Sequence, residues 1–476
     1  MKKTITIRRF HDSRTTRFAL TCGLILATAG LLPAQQSEMI IKLTKGDLPV
    51  IAVPDFRGSG AAQRFMGTFN ERLFSTLQEA GIFKMAPKGL YPAGVPQQPT
   101  DFKPPTMPAS VRAGEIPQPK SNGPWLTDWS GPPVNANYLA FGYTAVQNNQ
   151  LVLFGWLYSV TQPDPQSAQL LGKLYFGTVD DGGAKKAAED FAADILEQFG
   201  VKSLAGSKIY FVSDRTGHKE IWSMDYDGSN QKQFTHSGAI SIFPCVSPDG
   251  SKIAFTTNER GRWQVMVYSL ETGRRLPFYN QQASMNAPGG FTPDSKQLVF
   301  YSTLAGGFSQ IYIANVDGSG MRRLADSRSV DVEPKVNPKT GADVVFASGR
   351  SGTEQIYKMS MEGVDVVRLT TGEGDASNPA WNPDGQHIAF AWTRGFEPGN
   401  FNIFIMDVSN RDYVQLTHGE GRNENPAWAA DGLHLAYSSR RGRQSQIYTM
   451  LADGTHQQQL TTQGNNINPV WVKAPQ

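Results

Sequence analysis

The sequence predicts an α+β N-terminal domain followed by an all-β six-bladed β-propeller closed by the C-terminal strand. Three regularities predict it. A turn phrase such as Ser247-Pro248-Asp249-Gly250 recurs, and its prolines Pro248, Pro293, Pro338 and Pro383 stand 45 residues apart. Each turn leads into a short apolar run, as in Ile253-Ala254-Phe255, Val344-Val345-Phe346 and Ile388-Ala389-Phe390. Asp-Gly favours a tight hairpin because glycine accepts the positive φ that a Cβ resists. A second anchor keeps the same period: Ile221-Trp222, Val265-Met266, Ile311-Tyr312, Ile356-Tyr357, Ile403-Phe404 and Ile447-Tyr448. The third is a closing phrase, seen at Arg368-Leu369-Thr370, Gln415-Leu416-Thr417 and Gln459-Leu460-Thr461. Repeats of roughly 40 to 50 residues with four short strands apiece are propeller blades.

Counting strands predicts how the ring closes. The first unit, residues 208–235, lacks the strand that precedes each Pro-Asp-Gly turn. The chain's last apolar run, Asn468-Pro469-Val470-Trp471-Val472, is that strand with nothing after it. Pairing the two completes six blades and removes an edge that would otherwise recruit other chains.

The elements before the propeller follow in order. Residues 1–17 are basic, residues 18–34 are uncharged and apolar, and Leu32-Pro33-Ala34 ends in a small residue. That layout predicts a secretory signal cleaved after Ala34, with an uncleaved anchor as the alternative. Residues 35–202 form the predicted α+β domain. Residues 39–43 and 50–53 read as strands. Residues 61–80 read as a helix, because Phe65, Phe69, Leu73 and Leu77 share one face and Gly81 can stop it. The proline-rich stretch 92–124 predicts an irregular insertion. Residues 138–143, 151–160 and 169–178 read as strands, and 184–199 as a second helix ending at Gly200. Residues 203–476 are the propeller.

A chain of 476 residues with 39% hydrophobic content, 47 glycines and 30 prolines suits a turn-rich β protein of more than one core. The formal charge is +3, of which +5 lies in the first 34 residues, leaving −2 for the rest. A basic nucleic-acid-binding balance is therefore missing, which predicts no nucleic acid partner. Of the two cysteines, Cys22 falls in the leader and Cys245 in the body. One mature cysteine permits no internal disulfide and no paired-cysteine zinc site.

The repeat phrases resemble those of the TolB family, the periplasmic component of the Tol-Pal envelope system. Trp381, Asp384-Gly385, Ile388 to Phe390, Ile403 to Asp407 and Gln415 to Thr417 carry the likeness in the propeller. Residues 49–54 with the helix after them, 80–83, Asp128-Trp129 and 207–212 carry it before the propeller. The resemblance covers about Ile40 to Val472, interrupted by the insertion. It implies a non-enzymatic, monomeric periplasmic scaffold that binds a Pal-like peptidoglycan-associated lipoprotein through the propeller face. Its implied role is outer-membrane integrity during cell division. It also implies contact with a TolA-like inner-membrane protein through the N-terminal region.

Motifs for catalysis are scarce. There is no Gly-x-Ser-x-Gly elbow, no His-Glu-x-x-His and no phosphate-binding loop. Asp225 with Asp227-Gly228, and Asp453-Gly454, read as hairpin turns and lack the ligand spacing of a calcium loop. His236 and His418 follow the closing phrase at matching positions, with His218 on the same predicted face. A metal or acid-base site there is the alternative reading, a propeller lyase or hydrolase acting in the central funnel. No cofactor is predicted.

The loops between second and third strands gather cations: Arg215 and His218, Arg260 and Arg262, Arg350, Arg394, then Arg440, Arg441 and Arg443. Blade alternation places them on one face, opposite the Asp-Gly turns. Two readings stand together: an arginine rim that docks an anionic partner surface, or arginines that brace the blades.

Overall fold

The computed structural model describes residues 48–103, 123–162, 164–395 and 397–473. The predicted leader, the strand at 39–43, the centre of the proline-rich insertion and the last three residues lie outside them. Residues from Leu48 onward form one compact unit, in which an α+β region rests on a propeller.

The α+β region is built on six strands: β1 (Val50–Ala52), β2 (Arg57–Gly58), β3 (Lys84–Met85), β4 (Tyr138–Gln147), β5 (Gln150–Ser159) and β6 (Gln169–Gly177). Their order is β3-β1-β4-β5-β6, with β2 pairing further along β4. β1 runs parallel to both β3 and β4. The β4–β5 hairpin turns on Asn148 and Asn149 at φ 50 and 59, a left-handed pair that asparagine tolerates. Two helices, α1 (Met66–Glu79) and α2 (Asp181–Gln198), cover one face of the sheet. There Phe56, Phe69 and Phe191 meet, and a Cβ at Gly155 would stand 2.9 Å from the Phe191 ring.

Some expectations shift at element ends. The first helix opens as a 3-10 segment, Gly60–Phe65, before α1 begins. The second starts three residues earlier than its apolar stripe, because the Asp180 carboxylate accepts the Gly183 N–H at 2.7 Å and caps it. The described part of the insertion is irregular apart from one turn at Pro99–Asp101. It is not merely an excursion: Phe102 is buried against Phe141 and Tyr158 on the second face of the sheet, beside Leu126 and Trp129.

Each propeller blade has four antiparallel strands. Blades 2 to 6 occupy residues 241–276, 286–323, 331–368, 376–415 and 422–459. Blade 1 joins the closing strand Asn466–Val472 to Lys208–Ser213, Glu220–Asp225 and Lys232–Gln233, pairing Val472 with Lys208 and Asn466 with Ser213. The predicted closure is present.

The repeated phrases have mechanical reasons. The threonine hydroxyls of Thr235, Thr370, Thr417 and Thr461 accept the N–H of Ile221, Ile356, Ile403 and Ile447 at 2.8–2.9 Å. The outer strand is thereby pinned to the third, and blade 2 achieves the same with Asn280 on Val265. The indoles of Trp381 and Trp428 donate to Lys335 O and Ala380 O of the preceding blades at 3.0 and 3.2 Å. These bonds staple neighbouring blades together.

Among the described residues no helix is long and apolar enough to cross a membrane.

Candidate partner-docking face and channel

Every innermost strand carries a bulge, and in five of the six it falls at the residue before a proline. Phe243, Glu333, Asn378, Asn425 and Asn468 hold φ between 52 and 56, and the ladder slips a register at each. In blade 3 the equivalent residue is Pro288, whose ring forbids positive φ, and the slip falls across Gly289 instead. Asparagine takes this conformation readily. Phenylalanine and glutamate do so at a cost of roughly 1–2 kcal/mol each, so Phe243 and Glu333 are held by their surroundings.

These bulge residues line the channel. A pocket of about 70 Å³ is bounded by Phe243, Tyr301, Glu333, Lys335, Asn378 and Asn425, with prolines between them. One side is aromatic and the other acid and amide. Glu333 accepts the Asn378 backbone N–H at 2.6 Å and its side-chain amide at 2.7 Å. Burial raises the Glu333 pKa above the usual carboxylate range, partly offset by those bonds and by Lys335. Burial likewise pushes the Glu354 pKa up to about 7, helped by the charges of Glu333 and Asp375. A second pocket shares Lys335, Pro426 and Val470 and continues past Trp381, Trp428 and Trp471 toward the Asp-Gly turns.

The loop arginines divide into two sets. Arg350 donates from Nη2 to both oxygens of Asp331 at 2.9 and 3.0 Å and from Nε to Ser348 at 2.9 Å, lying over Phe346 and Tyr357. Arg215 donates to Ser213 at 2.9 Å, Gln231 at 2.7 Å and Asn466 at 3.1 Å, over Trp222. Arg441 reaches Gln457 at 2.6 Å over Tyr448, and Arg394 reaches Thr371 O at 2.8 Å over Trp392. These four are tied into their blades. Arg260, Arg262, Arg440 and Arg443 are exposed on the same loops, with Arg262 touching Gln282.

His218, His236 and His418 are exposed at the ends of three different connections, and the His418 backbone N–H is held by Glu420. Among the described residues no three His, Cys, Asp or Glu side chains converge as metal ligands.

The TolB beta propeller domain model matches residues 196–391 and 372–475. The chain belongs to the TolB β-propeller family. A Protein TolB homolog of Chlorobium luteolum is 31% identical over 229 residues, 48% of this chain and 50% of that protein. The Tol-Pal system protein TolB of Bordetella pertussis is 32% identical over 203 residues, 42% of this chain and 45% of that protein. The chain spans about half the length of the curated relatives it matches. Its fold matches the crystal structure of TolB from Acinetobacter baumannii at a TM-score of 0.72 and 22% identity, covering 90% of this chain and 98% of that one.

Within this TolB-family propeller, sequence reasoning missed the channel acid Glu333 and also Glu354, which feels its charge. Glu333 and Glu354 belong to no charge cluster in the chain, and only the bulge brings Glu333 to the wall. One signal was available: Glu333 precedes Pro334 at the position held by asparagine in three other blades.

Proposed function

We propose that this chain is a non-enzymatic periplasmic scaffold of the Tol-Pal system. A Pal-like peptidoglycan-associated lipoprotein docks over the channel mouth, and the complex supports outer-membrane integrity during division. The family membership supports the system, and one observation supports the dock. A strained, hydrogen-bonded acid, Glu333, faces a solvent-open channel inside a rim that bears Arg260, Arg262, Arg440 and Arg443. A strained residue at an open pocket is where binding is expected. The matching partner has an acidic collar around a hydrogen-bond-donating or cationic tip.

His218, His236 and His418 lie on the same loop-bearing face and belong to the outer part of this proposed surface. The TolA-like partner fits the other end of the molecule. Strand β6 pairs with β5 alone among the described residues, and Leu170, Leu174 and Phe176 are exposed along it. Such an edge suits strand addition.

The test is titration of the native chain with the soluble domain of the Pal-like lipoprotein from the same envelope. Glu333→Ala is expected to weaken binding at least about tenfold, the order of one lost charge-assisted bond. Neutralising Arg260, Arg262 and Arg443 together should mainly slow association and flatten its salt dependence. Affinity for the cationic tip should rise as pH passes about 7, where Glu354 ionises. Unaltered binding by Glu333→Ala would remove the channel from the interface.

A further inference from the structure

On the face opposite the arginine loops, the α+β region meets the propeller through several contacts, one of them made by a buried histidine. His434 opens the second strand of blade 6 and is buried. Its Nδ1 lies 2.6 Å from Asp431 Oδ2, and its Nε2 lies 2.8 Å from the backbone carbonyl of Glu79, the last residue of α1. A carbonyl oxygen only accepts, so Nε2 carries a proton. The other Asp431 oxygen accepts the N–H of Leu433 and of His434 at 2.9 and 3.1 Å, as an ionised carboxylate does. Nδ1 therefore also donates. Both nitrogens donate only in the imidazolium form.

We propose that His434 is a proton-controlled latch that holds the α+β region against the propeller while both ring nitrogens are protonated.

The surroundings suit that role. A cation at the C-terminal end of α1 meets the negative end of the helix dipole. The ring also packs beside Trp471 of the closing strand, at 6.3 Å between centroids. The charged and titratable groups around it come from several elements. Asp431 lies on its own turn, Glu79 on α1, Tyr226 and Asp227 on blade 1, and His456 on the outer hairpin of blade 6. Arg72 of α1 pairs with Asp227 at 3.3 Å and with Glu189 of α2 at 2.6 Å, which partly neutralises this cluster.

Burial lowers the His434 pKa, but the Asp431 charge and bond and the Glu79 carbonyl outweigh it and leave the value raised. Glu79 is raised mainly by burial, against the pull of Arg72. The two act in the same direction. A histidine whose docked value is raised contributes fully below its ordinary value and loses that contribution as pH climbs through the raised one. A carboxyl with a raised value likewise favours docking while it stays protonated. Asp227, which is lowered, opposes this only at acid below the ordinary aspartate range. The latch therefore tightens in acid and loosens in base.

The repeat supplies an internal control. His387 stands at the same place in blade 5, with Nδ1 2.6 Å from Asp384 and the same two backbone N–H groups on that carboxylate. Among the described residues it makes no bond to the α+β region. A local histidine–aspartate brace is thus common to both blades, and the bond to Glu79 is particular to His434.

The test uses the full chain labelled with 15N-histidine, with the His434 signals assigned by their loss in His434→Gln. At neutral pH both ring nitrogens of His434 should be protonated, and their titration should lie above the ordinary histidine value. Small-angle scattering between about pH 5 and about pH 9 should show the radius of gyration rising over the same interval. His434→Gln should abolish that pH dependence and His387→Gln should keep it. A neutral His434 ring at neutral pH overturns the latch, as does an expansion that persists in His434→Gln. Should His434→Gln fail to fold, the native titration read against His387→Gln decides the question alone.

Discussion

Blade 5 and blade 1 contain the same four strands but are held together differently. Blade 5 is one stretch of chain, and its register is set by the Pro383-Asp384-Gly385 turn, where Asp384 accepts the N–H of Gln386 and of His387. Blade 1 is assembled from both ends of the propeller, so no turn can align Asn466–Val472 with Lys208–Ser213. Side chains do it instead. Asp214 accepts the Asn465 N–H at 2.7 Å, Arg215 donates to Asn466 at 3.1 Å, and the Trp471 indole donates to Ser207 at 3.0 Å. The α+β region also rests on blade 1, where Arg72 of α1 pairs with Asp227 at 3.3 Å and lies over the Tyr226 ring, and on blade 6, where Leu451 lies against Gly81. Where connectivity is missing, specific polar bonds and a covering layer take its place.

Removing the seam strand should produce the largest effect. Deletion from Asn466 onward takes away the whole inner strand of blade 1 and exposes the edge at Lys208–Ser213. The expected loss exceeds about 5 kcal/mol, enough to exhaust the stability of an ordinary domain, and should appear as absence of a cooperative thermal transition. A truncated chain that still melts cooperatively near the native temperature would show that blade 1 stands without its fourth strand.

A smaller effect distinguishes the braces of blades 1 and 4. Arg350→Ala would strand Asp331, which is fully buried, so a cost of about 3–5 kcal/mol is expected. Arg215→Ala removes bonds to neutral acceptors only, and about 1–2 kcal/mol should follow. Urea midpoints of the two variants test the order. If Arg215→Ala proved the costlier, the seam would depend on that guanidinium more than its bond partners indicate.

Much of this was legible in the chain. The 45-residue spacing of Pro248, Pro293, Pro338 and Pro383 and the unpaired run at Asn468 to Val472 carried the propeller and its closure. The sorting of the arginines was harder, because bracing depends on where the guanidinium returns. Ser213, Ser348 and Ser439 each stand two residues before a bracing arginine, a recurrence visible only once those serines are known to lie at or near strand ends. The helix boundaries moved because capping by Asp180 overrides the apolar stripe. Glu333 escaped notice since its importance lies in a backbone angle. His434 escaped because its partner, Glu79, is 355 residues away in sequence. Contacts of that range are set by the docking of whole elements and leave no local pattern.

The finest comparison is between two tryptophans at equivalent positions. Trp428 donates to the backbone oxygen of Ala380, inside the contiguous part of the ring, while Trp471 donates to the Ser207 hydroxyl at the seam. Replacing either by phenylalanine keeps most of the apolar packing and deletes the N–H. The Ala380 carbonyl would then lose a partner it cannot replace by turning, and about 1–2 kcal/mol is expected for Trp428→Phe. The Ser207 hydroxyl can rotate to another partner, so Trp471→Phe should cost about 0.5–1 kcal/mol. Denaturant midpoints at constant slope would read the difference. The reverse order would mean that the hydroxyl at the seam is as fixed as a backbone carbonyl, and that the non-covalent closure is the more rigid part of the ring.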